Sequence, residues 1–160
     1  MRLREARWQD LAAMAALESR CFPHDAWPEQ TFWAELAGRP RRGYWVALAA
    51  GPNASDEGMG EKVVGYAGLD VSGEVADVMT LAVDPRQRGA GVGAALLQTL
   101  HTAGRHRGAL AMMLEVRADN RAARCLYDAH GYATIHTRSD YYRTSAGPWV
   151  DALIMRKELR

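Results

Sequence analysis

Two periods of apolar and polar residues alternate along this chain. Short apolar runs, each bounded by glycine, proline or polar residues, predict strands over residues 3–6, 44–49, 63–71, 75–83, 110–116, 132–140 and 149–157. Between them, apolar residues recur at helical spacing over residues 9–20, 29–36, 94–106 and 119–130. Asp10 stands near the start of the first helix, Pro28 at the entry to the second, and Asp119 where it can cap the fourth, which Gly131 closes. Ser72-Gly73 and Ser145-Ala146-Gly147-Pro148 read as turns, and residues 51–62 as a polar, glycine-rich hairpin loop. The resulting order, β-α-α-β-β-β-α-β-α-β-β, predicts an α/β fold: a mixed sheet with helices on both faces. No internal repeat interrupts it, and residues 1–160 read as one domain.

Composition narrows the classes. A 160-residue chain buries roughly 70% of its unfolded surface and needs no disulfide staples. Lys plus Arg is 20 against 19 for Asp plus Glu, so no global charge draws it to nucleic acid or to a membrane. Eighteen of those bases are arginine, which in an alanine-rich chain reads first as compositional bias. Cys21 and Cys125 fit no metal or redox spacing, the five histidines no ligand pattern, and no metal is expected. No apolar run reaches membrane length and the first residues carry no apolar targeting segment, so a cytoplasmic protein is expected. A monomer or weak dimer is expected.

The segment with most chemical content is Arg88-Gly89-Ala90-Gly91-Val92-Gly93-Ala94. It follows a strand and opens a helix, whose first amides have no partner within the helix and lie at the positive end of its dipole. Glycines there let the backbone approach a phosphate closely. A dinucleotide fold would want its glycines after the first strand, and a P-loop would want a lysine; neither fits. The remaining reading is a pyrophosphate held by backbone amides, in an Arg-x-x-Gly-x-Gly pattern.

Downstream, Glu115 is the lone acid in an otherwise apolar strand. Two readings are open: a strand-end glutamate in a salt bridge, or a general base whose pKa desolvation raises. Asn120 and Tyr127 are seven positions apart, two helical turns, and so share a face. Cys125 sits mid-helix with no adjacent base and reads as a small buried residue rather than a nucleophile.

These motifs resemble those of the GNAT N-acetyltransferases. Leu81-Ala82-Val83-Asp84-Pro85 with the glycine loop is similar to the strand and acetyl-CoA pyrophosphate loop of that superfamily. Leu114-Glu115-Val116-Arg117-Ala118-Asp119-Asn120, Ala122-Ala123-Arg124-Cys125-Leu126-Tyr127, and Asp140-Tyr141-Tyr142 with Asp151-Ala152-Leu153-Ile154-Met155 are similar to the RimI type, the ribosomal-protein-alanine N-acetyltransferases. The likeness runs over essentially the whole chain. It implies a single GNAT domain with a mostly antiparallel seven-stranded sheet and about four helices. It also implies acetyl-CoA as co-substrate, bound by Arg88 to Ala94 through backbone amides. The backbone of Leu81, Ala82 and Val83 would pair with the pantetheine where the strand splays from its neighbour, and Asn120 would hydrogen-bond the same arm. By the same resemblance Glu115 is the base and Tyr127 the proton donor to the leaving thiolate.

The acceptor implied is the α-amine of a protein N-terminus, of a ribosomal protein starting with Ala. Its groove would lie between the loop carrying Asp25 and Trp27 and the segment carrying Tyr141 and Tyr142. Arg143 stands where that family has proline, and Gly147-Pro148-Trp149 replaces more polar residues, both on the acceptor side. A lysine side chain or a small amine would use the same apparatus. Outside enzymes, an acyl-CoA sensor or scaffold would need neither Glu115 nor Tyr127.

Overall fold

The computed structural model describes residues 1–50, 60–144 and 147–160. Most of the loop read over residues 51–62, and the first half of the turn read over 145–148, lie outside the described residues. The expected order of elements is present: β1 (Arg2–Glu5), α1 (Leu11–Cys21), α2 (Glu29–Ala37), β2 (Arg42–Ala50), β3 (Glu61–Ser72), β4 (Val75–Val83), α3 (Val92–His106), β5 (Ala111–Arg117), α4 (Arg121–Ala129), β6 (Ala133–Tyr142) and β7 (Val150–Glu158). The seven strands form one sheet in the order β1-β2-β3-β4-β5-β7-β6. Every neighbouring pair is antiparallel except β4 with β5.

Two starts differ from the sequence reading. The first helix begins with a 3-10 turn over Trp8–Asp10. Asp10 is not an ordinary cap there: it accepts from the Arg7 amide at 2.7 Å and is clasped by both Arg4 nitrogens at 2.7 and 2.9 Å. The cap of α4 is Asn120 rather than Asp119. The Asn120 Oδ1 accepts from the Ala123 amide at 3.2 Å, while Asp119 is drawn away by a two-point pair with Arg117.

Each face of the sheet carries its own core. On one, α3 and α4 set Leu96, Leu97, Leu100 and Tyr127 against Met112, Leu114 and Val116 of β5. On the other, α1 and α2 set Leu11, Met14, Leu17 and Phe32 against Val46, Tyr66 and Ala82. Phe32 is the centre of an aromatic cluster, edge-on to Tyr44 and Tyr66 with centroids 6.4 and 5.4 Å away. Gly68 is required here, because a Cβ on it would stand 2.3 Å from the Tyr44 ring.

Buried carboxylates serve the α1–α2 side, Glu18, Glu35 and Asp70 among them. Glu35 accepts from the Tyr44 hydroxyl at 2.7 Å and from Arg42, and Asp70 accepts from Arg41 and Arg42. Glu18 accepts from the Tyr66 hydroxyl and from the Trp27 amide, and burial pushes its pKa up to about 7. On the α3 side His101 bonds the Tyr132 hydroxyl at 3.0 Å, and burial pushes its pKa down to about 4.

The parallel seam between β4 and β5 is short. Only Val75, Ala76 and Asp77 pair, with Ala111, Met112 and Met113. Two residues on, Met79 is an extra residue against β3, where Gly68 faces Thr80 and Leu69 faces Val78. A bulge bends its strand and tightens the local twist, which turns the rest of β4 away from β5.

Candidate active site

Where β4 leaves β5, a cleft of about 620 Å³ opens, within the size range of small-molecule sites. One wall is the free edge of β4, with Leu81, Ala82 and Val83. The floor is the turn into α3. Gly89 and Gly91 take positive φ there, 79° and 78°, and Gly91 is the N-cap. Ala95 makes the bond back to Gly91 at 3.0 Å, so the amides of Val92, Gly93 and Ala94 ahead of it have no backbone partner among the described residues. They line the cleft together with Arg88. The opposite wall is α4 with its cap: Asn120, Leu126 and Tyr127.

The structure thus brings together the expected pyrophosphate loop, the β4 backbone, Asn120 and Tyr127. Ala90 alone of the loop is outside the lining; it is exposed on the outer side of the turn. The β4–β5 pairing ends before Leu81, as the expected splay requires. Tyr127 is buried, its ring 5.7 Å from Tyr132, and burial pushes its pKa up to about 12. Its hydroxyl has no hydrogen-bond partner among the described residues, yet it is not a sealed, unsatisfied group, so it is reached from the cleft.

Glu115 is placed otherwise than the sequence reading held. It is exposed, not desolvated inside the sheet. The apolar run over residues 110–116 hides an alternation: Met112, Leu114 and Val116 enter the core, while Glu115 points to the face of β5 that the two-helix layer of α1 and α2 leaves open. There it accepts from the Tyr142 hydroxyl at 2.7 Å and from Arg138 at 3.1 Å. The ion pair of the plainer reading is therefore present. Its partners come from β6, where Asp140 takes φ 52° in a register shift between Arg138 and Tyr142. The Asp140 amide donates to Asp151 at 2.9 Å, which holds that irregular turn. Burial, with the bond to Glu115, raises the Tyr142 pKa.

The two expected acceptor walls meet at a residue the sequence reading did not single out. Arg117 pairs with Asp119, lies 3.7 Å from Asp25, and stacks over the Tyr142 ring at 5.1 Å. Arg138 likewise lies over Tyr141, 5.3 Å from its centroid. The only sequence signal for either is an arginine in a strand beside an acid or an aromatic pair. Trp27 turns inward against Phe32 at 5.8 Å and belongs to the α1–α2 core, while Asp25 lines the cleft. Tyr141 is exposed, and Arg143 lies over the exposed Trp149 at 5.9 Å. Cys125, expected to be buried, is exposed, because α4 presents Ala123, Leu126 and Tyr127 to the core and Cys125 falls on its far side.

A three-pair parallel seam that opens at a glycine turn, with a tyrosine on the facing helix, is a distinctive arrangement. Residues 11–132 match the acetyltransferase (GNAT) family. The chain belongs to that family. As a GNAT protein it is an acetyl-CoA-dependent N-acetyltransferase. It is 36% identical over 154 residues to the N-alpha-acetyltransferase RimI of Mycobacterium tuberculosis, covering 93% of this chain and 87% of that one. It is 38% identical over 148 residues to the [ribosomal protein bS18]-alanine N-acetyltransferase of Escherichia coli, covering 91% and 89%. An uncharacterized protein of Mycobacterium leprae is 37% identical over 154 residues, and the chain spans 38% of its length. In three dimensions the crystal structure of the Escherichia coli ribosomal-protein-S18-alanine N-acetyltransferase superposes with a TM-score of 0.81 at 30% identity, over 99% of this chain and 93% of that one. No described helix of this GNAT protein is long and apolar enough to cross a membrane.

Proposed function

We propose that this acetyltransferase moves the acetyl group of acetyl-CoA onto the N-terminal α-amine of a ribosomal protein starting with Ala, directly and with both substrates bound. The carrying observation is the β4–β5 cleft, with the unpartnered amides of α3 at one end and Tyr127 within it, while Glu115 lies on the neighbouring face of β5. The ribosomal acceptor is supported by the two relatives named for that activity in whole or in part. Such a protein acts in the cytoplasm, where ribosomal proteins are made.

The residues present fit acetyl-CoA. The amides of Val92, Gly93 and Ala94, with Arg88 beside them, suit its pyrophosphate. The unpaired edge at Leu81, Ala82 and Val83 suits an extended amide-bearing arm, and the Asn120 Nδ2 is left for that arm because Oδ1 is spent on the cap. When bound, acetyl-CoA supplies an acyl group already activated as a thioester. In the transfer a C–N bond forms, the C–S bond breaks, and the amine gives up a proton.

Glu115 takes that proton. With Tyr142 and Arg138 donating to it, the carboxylate is fixed in orientation on the open face, where an amine reaches it directly or through one water. An α-amine has a pKa near ~8 and a lysine amine near ~10.4, so a modest carboxylate base suits the former. Tyr127 keeps its proton at neutral pH, since its pKa stands at about 12. An ordinary thiol lies near ~8.5, so full transfer from Tyr127 runs uphill. Its main work is a hydrogen bond that grows as negative charge develops on the departing sulfur, with the proton following from Tyr127 or from solvent.

The test is acetylation of three acceptors: an Ala-initiated ribosomal-type peptide, the same peptide with a blocked N-terminus and an internal lysine, and a small diamine. The first should be much the best. A preference for either of the others overturns the N-terminal reading and leaves acetyl transfer in place.

A further inference from the structure

Glu18 has no part in the transfer, yet it is among the most buried charged residues of the chain, at 3% exposure. It lies on α1 near the point where that helix gives way to the loop over residues 22–28. Burial holds its carboxyl well above the ordinary range, so ionising the group as pH rises costs the folded state stability. A residue of that cost calls for a role other than packing.

What Glu18 holds is the loop. Its Oε1 accepts from the Trp27 amide at 3.2 Å, and its other oxygen takes the Tyr66 hydroxyl of β3. From Pro23 to Trp27 the backbone makes one backbone–backbone hydrogen bond among the described residues, Asp25 N–H to the Phe22 carbonyl at 3.2 Å. The Glu18–Trp27 bond is thus the buried anchor of a segment with little internal support. Beyond it, Asp25 faces Arg117 at 3.7 Å, Arg117 covers the Tyr142 ring, and the Tyr142 hydroxyl donates to Glu115.

We propose that Glu18 is a positioning residue for the acceptor side of the site: by holding the Trp27 amide it sets the α1–α2 loop, and through Asp25, Arg117 and Tyr142 the surroundings of Glu115. This rests on the reading above that the acceptor amine enters beside Glu115. It predicts that Glu18 governs acceptor affinity more than acetyl-CoA affinity, the loop from Cys21 to Asp25 bordering the acetyl-CoA cleft on one side only.

The experiment measures steady-state kinetics of Glu18→Ala and Glu18→Gln with the Ala-initiated peptide, and acetyl-CoA affinity by calorimetry. Glu18→Ala frees the loop and should raise the peptide KM by roughly ten-fold or more, the loss of one buried hydrogen bond to a charged group. Acetyl-CoA affinity should fall by less than the peptide KM rises, since the β4 edge, the glycine turn and α4 hold the rest of that cleft. Glu18→Gln offers a carbonyl to Trp27 and an amide to Tyr66, so it should restore KM to within about three-fold of wild type. A purely structural role would instead lower kcat with the active fraction and leave KM unchanged. That pattern in a folded Glu18→Ala variant overturns the proposal. Should Glu18→Ala fail to fold, hydrogen exchange on the wild type decides. The Trp27 amide should exchange more slowly than those of His24 and Ala26, and an unprotected Trp27 amide overturns the anchor. If the diamine proves the true acceptor, the N-terminal reading fails, and the same KM comparison made with the diamine decides Glu18 independently.

Discussion

Gly91 and Gly93 sit two residues apart in the same turn, yet alanine at each should act in opposite ways. Gly91 has φ 78° and ψ 3°, and a Cβ there meets nothing within 4 Å. Gly91→Ala is therefore a backbone problem: left-handed geometry costs an L-residue about 1–2 kcal/mol, which lowers the melting temperature of a chain this size by roughly 2–8 °C. Gly93 lies inside the first turn of α3 with ordinary helical geometry, so alanine there gains about 0.5–1 kcal/mol in propensity. Its Cβ, however, would stand 3.2 Å from Leu126 and 3.6 Å from Val83, both cleft residues. Leu126 yields a few tenths of an ångström; a phosphate or pantetheine resting on the turn must yield more. Losing one charge-assisted amide contact, about 1.5–3 kcal/mol, weakens binding by roughly 10- to 150-fold. Gly93→Val should weaken it further, and both more than Arg88→Ala, whose contribution is a side chain on the rim. Scanning fluorimetry without ligand and calorimetry with acetyl-CoA measure the two effects separately. A folded Gly93→Ala protein that binds acetyl-CoA as wild type does would refute the pyrophosphate assignment. An unchanged melting temperature for Gly91→Ala would refute the backbone argument.

Glu115→Gln keeps the shape and the Arg138 side of the site but loses basicity, so turnover at pH 7 should fall by roughly 100-fold or more and recover in part as pH rises and the amine deprotonates by itself. Normal turnover at pH 7 would exclude Glu115 as the base. Tyr127→Phe should slow transfer by roughly 10- to 100-fold with acetyl-CoA affinity little changed, and a rate equal to wild type would remove its role at the sulfur. The two buried titrating groups oppose each other: Glu18, raised to about 7, stabilises fully below its unfolded value near 4.5 and loses that stability as pH rises through 7, whereas His101, lowered to about 4, stabilises fully above 6.5 and loses it as pH falls through 4. Their slopes oppose each other between about pH 4.5 and 6.5, so the melting profile of Glu18→Gln should rise more steeply with pH than that of wild type across that window, and parallel profiles would show that Glu18 does not titrate there.

The elements were legible because glycine, proline and polar turns punctuate them, and because each apolar run has a clear period. The cleft loop was legible for the same local reason: Gly89, Gly91 and Gly93 at a strand-to-helix turn state a backbone requirement on their own. What depends on distant register was not. Glu115 reads as buried because Met113 extends the apolar run, and only the absence of a helix over that face of β5 makes it exposed. Its partners lie 23 and 27 residues away, brought into reach by a bulge at Asp140 that no local pattern announces. Trp27 has the composition of a groove wall but the position of a core residue, since the loop folds it back onto Phe32. Arg117 links two segments that neither spacing nor composition connects.

The short β4–β5 seam also has a mechanical meaning. Three ladder pairs stitch β1 to β4, on one side, to β5, β7 and β6 on the other; the Leu110 and Ala111 amides on the Glu74 carbonyl, the Asp25–Arg117 pair and the shared core under α3 add to that joint. Such a sheet behaves as two cooperative units with a weak boundary, and local opening starts at that boundary. A ligand lying along the free edge of β4 and against α4 spans both units, so it acts as a tie between them as well as a substrate. Amides deep in β6 and β7, far from the cleft, should then exchange more slowly once acetyl-CoA is bound, and the protein should melt as one unit rather than two.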